Sequence, residues 1–178
     1  MRPLNGRLME KSLMLPLILF AKLSSLCLVL GNLLLAPALA APRYTPSADG
    51  QEVTDSKTGL VWRRCAEGMV WKGSTCANDP VFPNHFGAET RVKAAVATGQ
   101  AWRLPTMKEL SSIVAVREAG PGSAAIDPVA FPATPLARFW SSSSVGRGYF
   151  MYVAFSEGSV GEGERSSPGA VRLVRAGK

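Results

Sequence analysis

Histidine is all but missing from this 178-residue chain, which holds only His85. A zinc site or a redox centre would have to lean on cysteine, and cysteine is scarce as well. There are three, and no two stand in a Cys-x-x-Cys arrangement. Runs of one charge are absent too. Lys and Arg outnumber Asp and Glu by 20 to 13, yet they form no basic arm suited to nucleic acid. Nor is there an apolar stretch long enough to cross a membrane. Lys22 splits the N-terminal apolar region into pieces shorter than the roughly 20 residues a spanning helix needs. No internal repeat is visible.

That N-terminal region has the layout of an export signal. Arg2, Arg7, Lys11 and Lys22 precede the apolar run 23–35, and the small-residue triplet Ala38-Leu39-Ala40 follows. The pattern predicts a signal peptide over 1–40 with cleavage after Ala40. Cys27 does not suit a lipid anchor, because Leu26 stands where lipoprotein signals place a small residue. Cleavage would leave 138 residues with 16 basic and 12 acidic side chains, a net charge of +4. That length suits one domain rather than two. It also leaves two cysteines, Cys65 and Cys76. In an oxidising compartment such a pair reads as a disulfide rather than a metal site or a redox pair. Closing a loop of this size stabilises a fold by about 3 kcal/mol in the chain-entropy account.

Along the remaining chain, 41–50 reads as an extended lead-in containing Pro42, Pro46 and Gly50. Glu52-Val53 and Leu60-Val61-Trp62, separated by the polar turn 55–59, read as a β-hairpin. The segment 69–73 is a candidate third strand between the cysteines. Pro80, Pro83 and Asn84 mark a loop, with Asn78-Asp79-Pro80 as a turn. Residues 88–98 read as a helix with Val92, Ala95 and Val96 on one side and Glu89, Arg91 and Lys93 towards solvent, stopping at Gly99. Trp102, Arg103 and Leu104 form a strand-like run that Pro105 ends. A second helix begins at Thr106, which with Glu109 has capping-box spacing, and Met107, Leu110 and Val114 share a face. Gly, Ala and Pro make 120–135 an irregular connection anchored by Phe131. Strand candidates follow at 139–141, 149–155 and 171–174, with a turn at Glu157-Gly158. Strands, helices and strands in that order indicate an α+β domain with an antiparallel sheet, two helices and long ordered loops. Trp62, Trp102 and Trp140 read as core, and Arg103 as a donor to carbonyls at the strand-to-helix corner.

Four pieces in this order resemble the Lcl C-terminal domain family, a bacterial domain of unknown function. They are Asp55-Ser56-Lys57-Thr58-Gly59-Leu60-Val61-Trp62, the segment from Arg64-Cys65 to Thr75-Cys76, Trp102-Arg103-Leu104-Pro105-Thr106-Met107-Lys108-Glu109-Leu110, and Val171-Arg172-Leu173-Val174-Arg175. Ile126-Asp127, Phe131-Pro132 and Trp140-Ser141-Ser142-Ser143 fall between them. The resemblance covers about residues 51–176, within a domain reckoned as 51–178. It implies a C-type lectin-like fold, a secreted or surface setting and, in one branch, binding of sulfated polysaccharides by a basic surface. It implies no catalytic residue, metal or cofactor. That branch's collagen-like Gly-X-Y stalk is absent from this sequence, and so are the Glu-Pro-Asn and Gln-Pro-Asp triplets of calcium-dependent sugar binding.

The expected function is therefore an exported, non-catalytic binding module of the envelope or surface. Periplasm, cell surface and extracellular space all suit it, and no membrane span remains after cleavage. Candidate ligand residues are Arg138, Arg147, Arg165 and Arg172, in or beside the C-terminal strands, for an anionic and extended polysaccharide. Glu157, Glu162 and Glu164 interleave with them. The alternative is a structural subunit that binds another envelope protein. An enzyme would need His85 paired with Cys65 or with a serine of 141–144, and oriented by an acid such as Asp127. That reading meets two objections: Cys65 is expected to be oxidised, and His85 sits in a segment read as an exposed loop.

Overall fold

The structure is a computed structural model that describes residues 41–115 and 122–177, so the expected signal at 1–40, with Cys27, lies outside the described residues. The polar turn closes where the sequence places it. Strand β2 (Glu52–Asp55) pairs antiparallel with β3 (Leu60–Arg63), setting Val53 opposite Trp62. Asp55 holds this turn. Its buried carboxylate accepts the Lys57 N–H at 3.0 Å and the Thr58 hydroxyl at 3.0 Å, and takes both arms of Arg43 at 3.0 and 2.8 Å. Burial alone would push the Asp55 carboxyl up. The Arg43 fork and the two local donors outweigh it and hold the pKa below its usual value. Arg43 thereby draws the lead-in alongside the hairpin, and Tyr44–Pro46 forms strand β1 on β2. The segment expected only to be extended thus contains an edge strand.

Cys65 and Cys76 are joined, S–S 2.06 Å, and the bridge encloses a small hairpin of β4 (Val70–Trp71) and β5 (Cys76–Ala77). Helix α1 runs over His85–Val96, three residues earlier than its periodicity suggests, because Asn84 caps it by accepting the Gly87 N–H at 2.9 Å. His85, Ala88, Val92 and Ala95 face the core, whereas Val96 is exposed. Helix α2 covers Met107–Ser112. A second sheet follows in the order β6 (Arg138–Gly146), β7 (Tyr149–Ala154) and β8 (Ser159–Glu164). Strand β9 (Val174–Ala176) returns to β3 and completes a four-stranded sheet β1-β2-β3-β9. Residues 171–173, expected as strand, are irregular but wholly buried. The Leu173 and Val171 carbonyls take the N–H groups of Arg63 and Glu67 at 2.9 Å each.

Among the described residues the paired strands are all antiparallel and there are two helices, so the class is α+β. Trp62, Trp102 and Trp140 are 0, 1 and 0 % exposed and serve as core, not as a ligand platform. Trp62 packs in a cluster with Val53, Leu110, Phe131, Phe139 and Phe155. Trp102 and Trp140 share another with Leu104, Val61 and Leu173. Among the described residues no helix is long and apolar enough to cross a membrane.

The strand-to-helix corner joins the two clusters. Arg103 exchanges backbone hydrogen bonds with Val174 at 2.9 and 3.0 Å, then Pro105 ends the extended run. Thr106 Oγ1 accepts the Glu109 N–H at 3.3 Å and Glu109 Oε2 accepts the Thr106 N–H at 2.8 Å, which completes the capping box. Arg103 donates to the Leu104 carbonyl as expected and also grips both Glu109 oxygens, at 2.8 and 2.7 Å. That fork, together with the Thr106 N–H, overcomes burial and holds the Glu109 pKa at about 2, against an ordinary 4.5. Folding lowers this pKa, so the stabilisation is complete above about 4.5 and is lost as pH falls towards 2. With Arg103 nearly half exposed, solvent screening leaves about 1 kcal/mol. Glu109→Gln is expected to lose that amount at pH 7 in urea unfolding and to converge on wild type near pH 2. An equal gap at both pH values would contradict the assignment.

Candidate ligand-binding site

The four arginines proposed from sequence part company in the fold. Arg172 is 1 % exposed and belongs to the interior, which corrects its assignment to a ligand face. Its guanidinium donates to the carbonyls of Arg63 and Arg64 and, at 2.8 Å, to Thr134 Oγ1. The rings of Phe131 and Phe139 lie 4.9 and 5.6 Å from it. Burial pushes its pKa down to about 9, so it stays a cation at neutral pH. Arg138 is half-buried with its guanidinium 5.4 Å from the Tyr152 ring. Arg147 and Arg165 do come together, at an open hollow of about 620 Å³.

Three chain segments make this hollow. One is the start of α1 with Asn84 and Phe86, another the β6–β7 turn with Arg147 and Tyr149, the third the end of β8 with Glu164 and Arg165. Backbone hydrogen bonds lock them to one another. The Arg165 N–H donates to the Gly148 carbonyl at 2.7 Å, and the Arg165 carbonyl accepts the His85 N–H at 3.0 Å. Beneath the hollow His85 is buried, contrary to the exposed loop position expected for it. Its ring stacks on Phe150 at 3.5 Å and meets the edge of Trp140 at 5.5 Å. Nε2 lies 2.9 Å from the Ser141 carbonyl oxygen. Trp140 Nε1 in turn donates to the Pro83 carbonyl at 3.3 Å, so the start of α1 is seated on the second sheet.

The lining mixes charge with apolar surface. Phe86 is 60 % exposed and Tyr149 37 %, and the Arg165 guanidinium lies 5.7 Å from the Phe86 ring centre. Arg165 also reaches Glu89 at 3.2 Å. The Tyr149 hydroxyl donates to Glu164 Oε1 at 3.1 Å and Ser166 Oγ donates to Oε2 at 3.3 Å. The hydrogen bond to Glu164 and its charge push the Tyr149 hydroxyl pKa up. Such a surface offers guanidinium forks for an oxyanion, a carboxylate for hydroxyl groups, and two rings for the apolar face of a ligand.

Two of the nucleophiles weighed from sequence, Cys65 and Ser141, do not pair with the His85 ring through a thiol or hydroxyl. Cys65 is in the disulfide, Ser141 Oγ donates to the Met151 carbonyl at 2.8 Å, and His85 faces the Ser141 carbonyl rather than a hydroxyl. Asp127 accepts the N–H groups of Val129 and Ala130 at 2.8 and 2.9 Å, a turn contact remote in role from His85. No group of three or more His, Cys, Asp or Glu that could hold a metal ion occurs among the described residues.

Sequence reasoning missed Phe86, Tyr149 and Glu164 as partners of the arginines. The signal it had was the Gly146-Arg147-Gly148 turn. All three residues have positive φ, 88°, 51° and 80°, and Arg147 is the one for which this is costly. A Cβ at either glycine would meet open space, so conformation and not crowding selects glycine there. The turn therefore holds an arginine side chain over the hollow at the expense of stability. Arg147→Gly is expected to leave the fold intact and raise stability by about 0.5–1 kcal/mol in thermal or urea unfolding. A destabilisation beyond about 1 kcal/mol would mean that the Arg147 side chain holds the turn together.

Comparison with curated proteins returns no match. Residues 51–175 match the family model of the Lcl C-terminal domain. That span takes in the β2–β3 hairpin, the disulfide segment, the strand-to-helix corner and the start of β9, together with every side chain lining the hollow. The chain belongs to the Lcl C-terminal domain family.

Proposed function

We propose that this chain is exported, loses residues 1–40, and acts as a non-catalytic binding module of the bacterial envelope or surface for anionic glycans. Its domain, in this reading, is C-type lectin-like. Family membership supports it, and so does the Cys65–Cys76 bridge, since disulfides persist in oxidising compartments. The observation that carries it is the meeting of Arg147 and Arg165 with the exposed rings of Phe86 and Tyr149 around one hollow. Guanidinium and aromatic groups side by side suit a ligand with both oxyanions and an apolar sugar face.

The purified protein is expected to bind a carboxylated or sulfated polysaccharide at low ionic strength and to release it progressively as salt is added. Arg147→Ala with Arg165→Ala should weaken that binding by about tenfold while leaving the unfolding midpoint within experimental spread. Arg138→Ala should change it little. Binding that resists salt and ignores the double substitution would favour the alternative, a subunit that docks on an envelope protein.

A further inference from the structure

The charges around the hollow narrow the ligand further, given the reading of the hollow as the binding site. Arg165 is already partly satisfied by Glu89 at 3.2 Å. Arg147 has no ion pair or hydrogen bond from its side chain to another described residue. Opposite them stands Glu164, exposed and still able to accept hydrogen bonds beyond those from Tyr149 and Ser166. The charged side chains lining the hollow are Arg147, Arg165 and Glu164, and Glu89 outside the lining takes up part of Arg165, so the charge left uncompensated is that of Arg147. Beyond its rim β8 turns acidic. Glu162 stands near enough to raise the Tyr149 hydroxyl pKa together with Glu164. A polymer bearing a sulfate on every unit would place successive anions against Glu164 and Glu162, where like charges repel.

We infer that the hollow takes a single carboxylate-bearing sugar unit, a uronic acid at or near the end of a glycan, rather than a length of polysulfated chain. The carboxylate lies on the Arg147 fork, with Arg165 beside it. Ring hydroxyls donate to Glu164, and the C–H face rests on Phe86 and Tyr149. A hollow of about 620 Å³ is the size of a small-ligand site rather than a polymer track. Glu164 is what sets this preference: it rewards neutral hydroxyl donors and penalises a second anion.

The test uses the full protein with three probes: a neutral oligosaccharide ending in one galacturonic acid, its methyl ester, and dextran sulfate. Wild type is expected to bind the uronic-acid oligosaccharide, to lose it on esterification, and to bind dextran sulfate less well per anionic group. Glu164→Gln should weaken the uronic-acid oligosaccharide by about fivefold to tenfold and strengthen dextran sulfate, two opposite shifts that a loss of folding cannot produce. Phe86→Ala should weaken the uronic-acid oligosaccharide alone. The inference is overturned if dextran sulfate is preferred by wild type, or if Glu164→Gln strengthens both acidic probes. If Arg147→Ala with Arg165→Ala alters neither acidic probe, the hollow itself is not the binding site and the proposed function falls with it.

Discussion

A buried cation without a carboxylate partner holds this fold together. Arg172 lies between two phenylalanine rings, and its planar fork ends on oxygens from two distant stretches of chain. The carbonyls of Arg63 and Arg64 close β3 next to the disulfide, and the Thr134 hydroxyl belongs to the irregular connection before β6. Removing a guanidinium from water costs several kcal/mol, returned here through charge-assisted hydrogen bonds to two carbonyls and a hydroxyl. Arg64 repeats the device one step on, donating to the Val129 and Ala130 carbonyls at 2.8 and 3.2 Å while lying 3.9 Å from the Trp71 ring. Loops long enough to lack regular structure are thus tied to the sheets by arginine.

This changes the meaning of the positive charge. Arg43 is bound to Asp55, Arg103 to Glu109 and Arg175 to Glu52, at distances of 2.5–3.0 Å, and Arg64 and Arg172 serve carbonyls. A count of bases therefore overstates how much of the surface attracts anions. Around the hollow, Arg147 at its strained turn carries no such pair among the described residues, and Arg165 at the end of β8 is shared with Glu89. Arg165 links them, its N–H donating to Gly148 in the turn and its carbonyl accepting from His85 at the start of α1, and the His85–Phe150 stack keeps that helix in place. Rigid elements below and an arginine held at positive φ above give a preorganised rim.

Where local chemistry is decisive, the sequence was legible. Thr106 and Glu109 announced a helix start, the 55–59 turn announced the hairpin, and the three tryptophans announced the core. Strand β8 escaped notice because Ser159-Val160-Gly161-Glu162-Gly163-Glu164 has little β propensity. Its glycines are there for Tyr152 and Trp140, which pack where Cβ atoms at Gly161 and Gly163 would stand. Strand β1 escaped for a related reason, since the Arg43–Asp55 pair that recruits it spans twelve positions. His85 and Arg172 look like surface residues by type. Only the tertiary partners, a carbonyl and a ring for one and carbonyls and rings for the other, make their burial tolerable. Of the four arginines, Arg147 and Arg165 line one hollow, but no local pattern links Phe86 to Tyr149 across 63 positions.

Arg172 belongs to the frame, whereas Arg147 and Arg165 are the arginines proposed to meet the ligand. Urea unfolding of Arg172→Met, read beside its binding to an acidic polysaccharide, tests this most directly. Methionine fills the volume but takes the donor from the Arg63 and Arg64 carbonyls and the Thr134 hydroxyl, so a loss of about 3–5 kcal/mol is expected, with affinity unchanged in the fraction that remains folded. Stability within about 1 kcal/mol of wild type together with lost binding would contradict the account and return Arg172 to the ligand face.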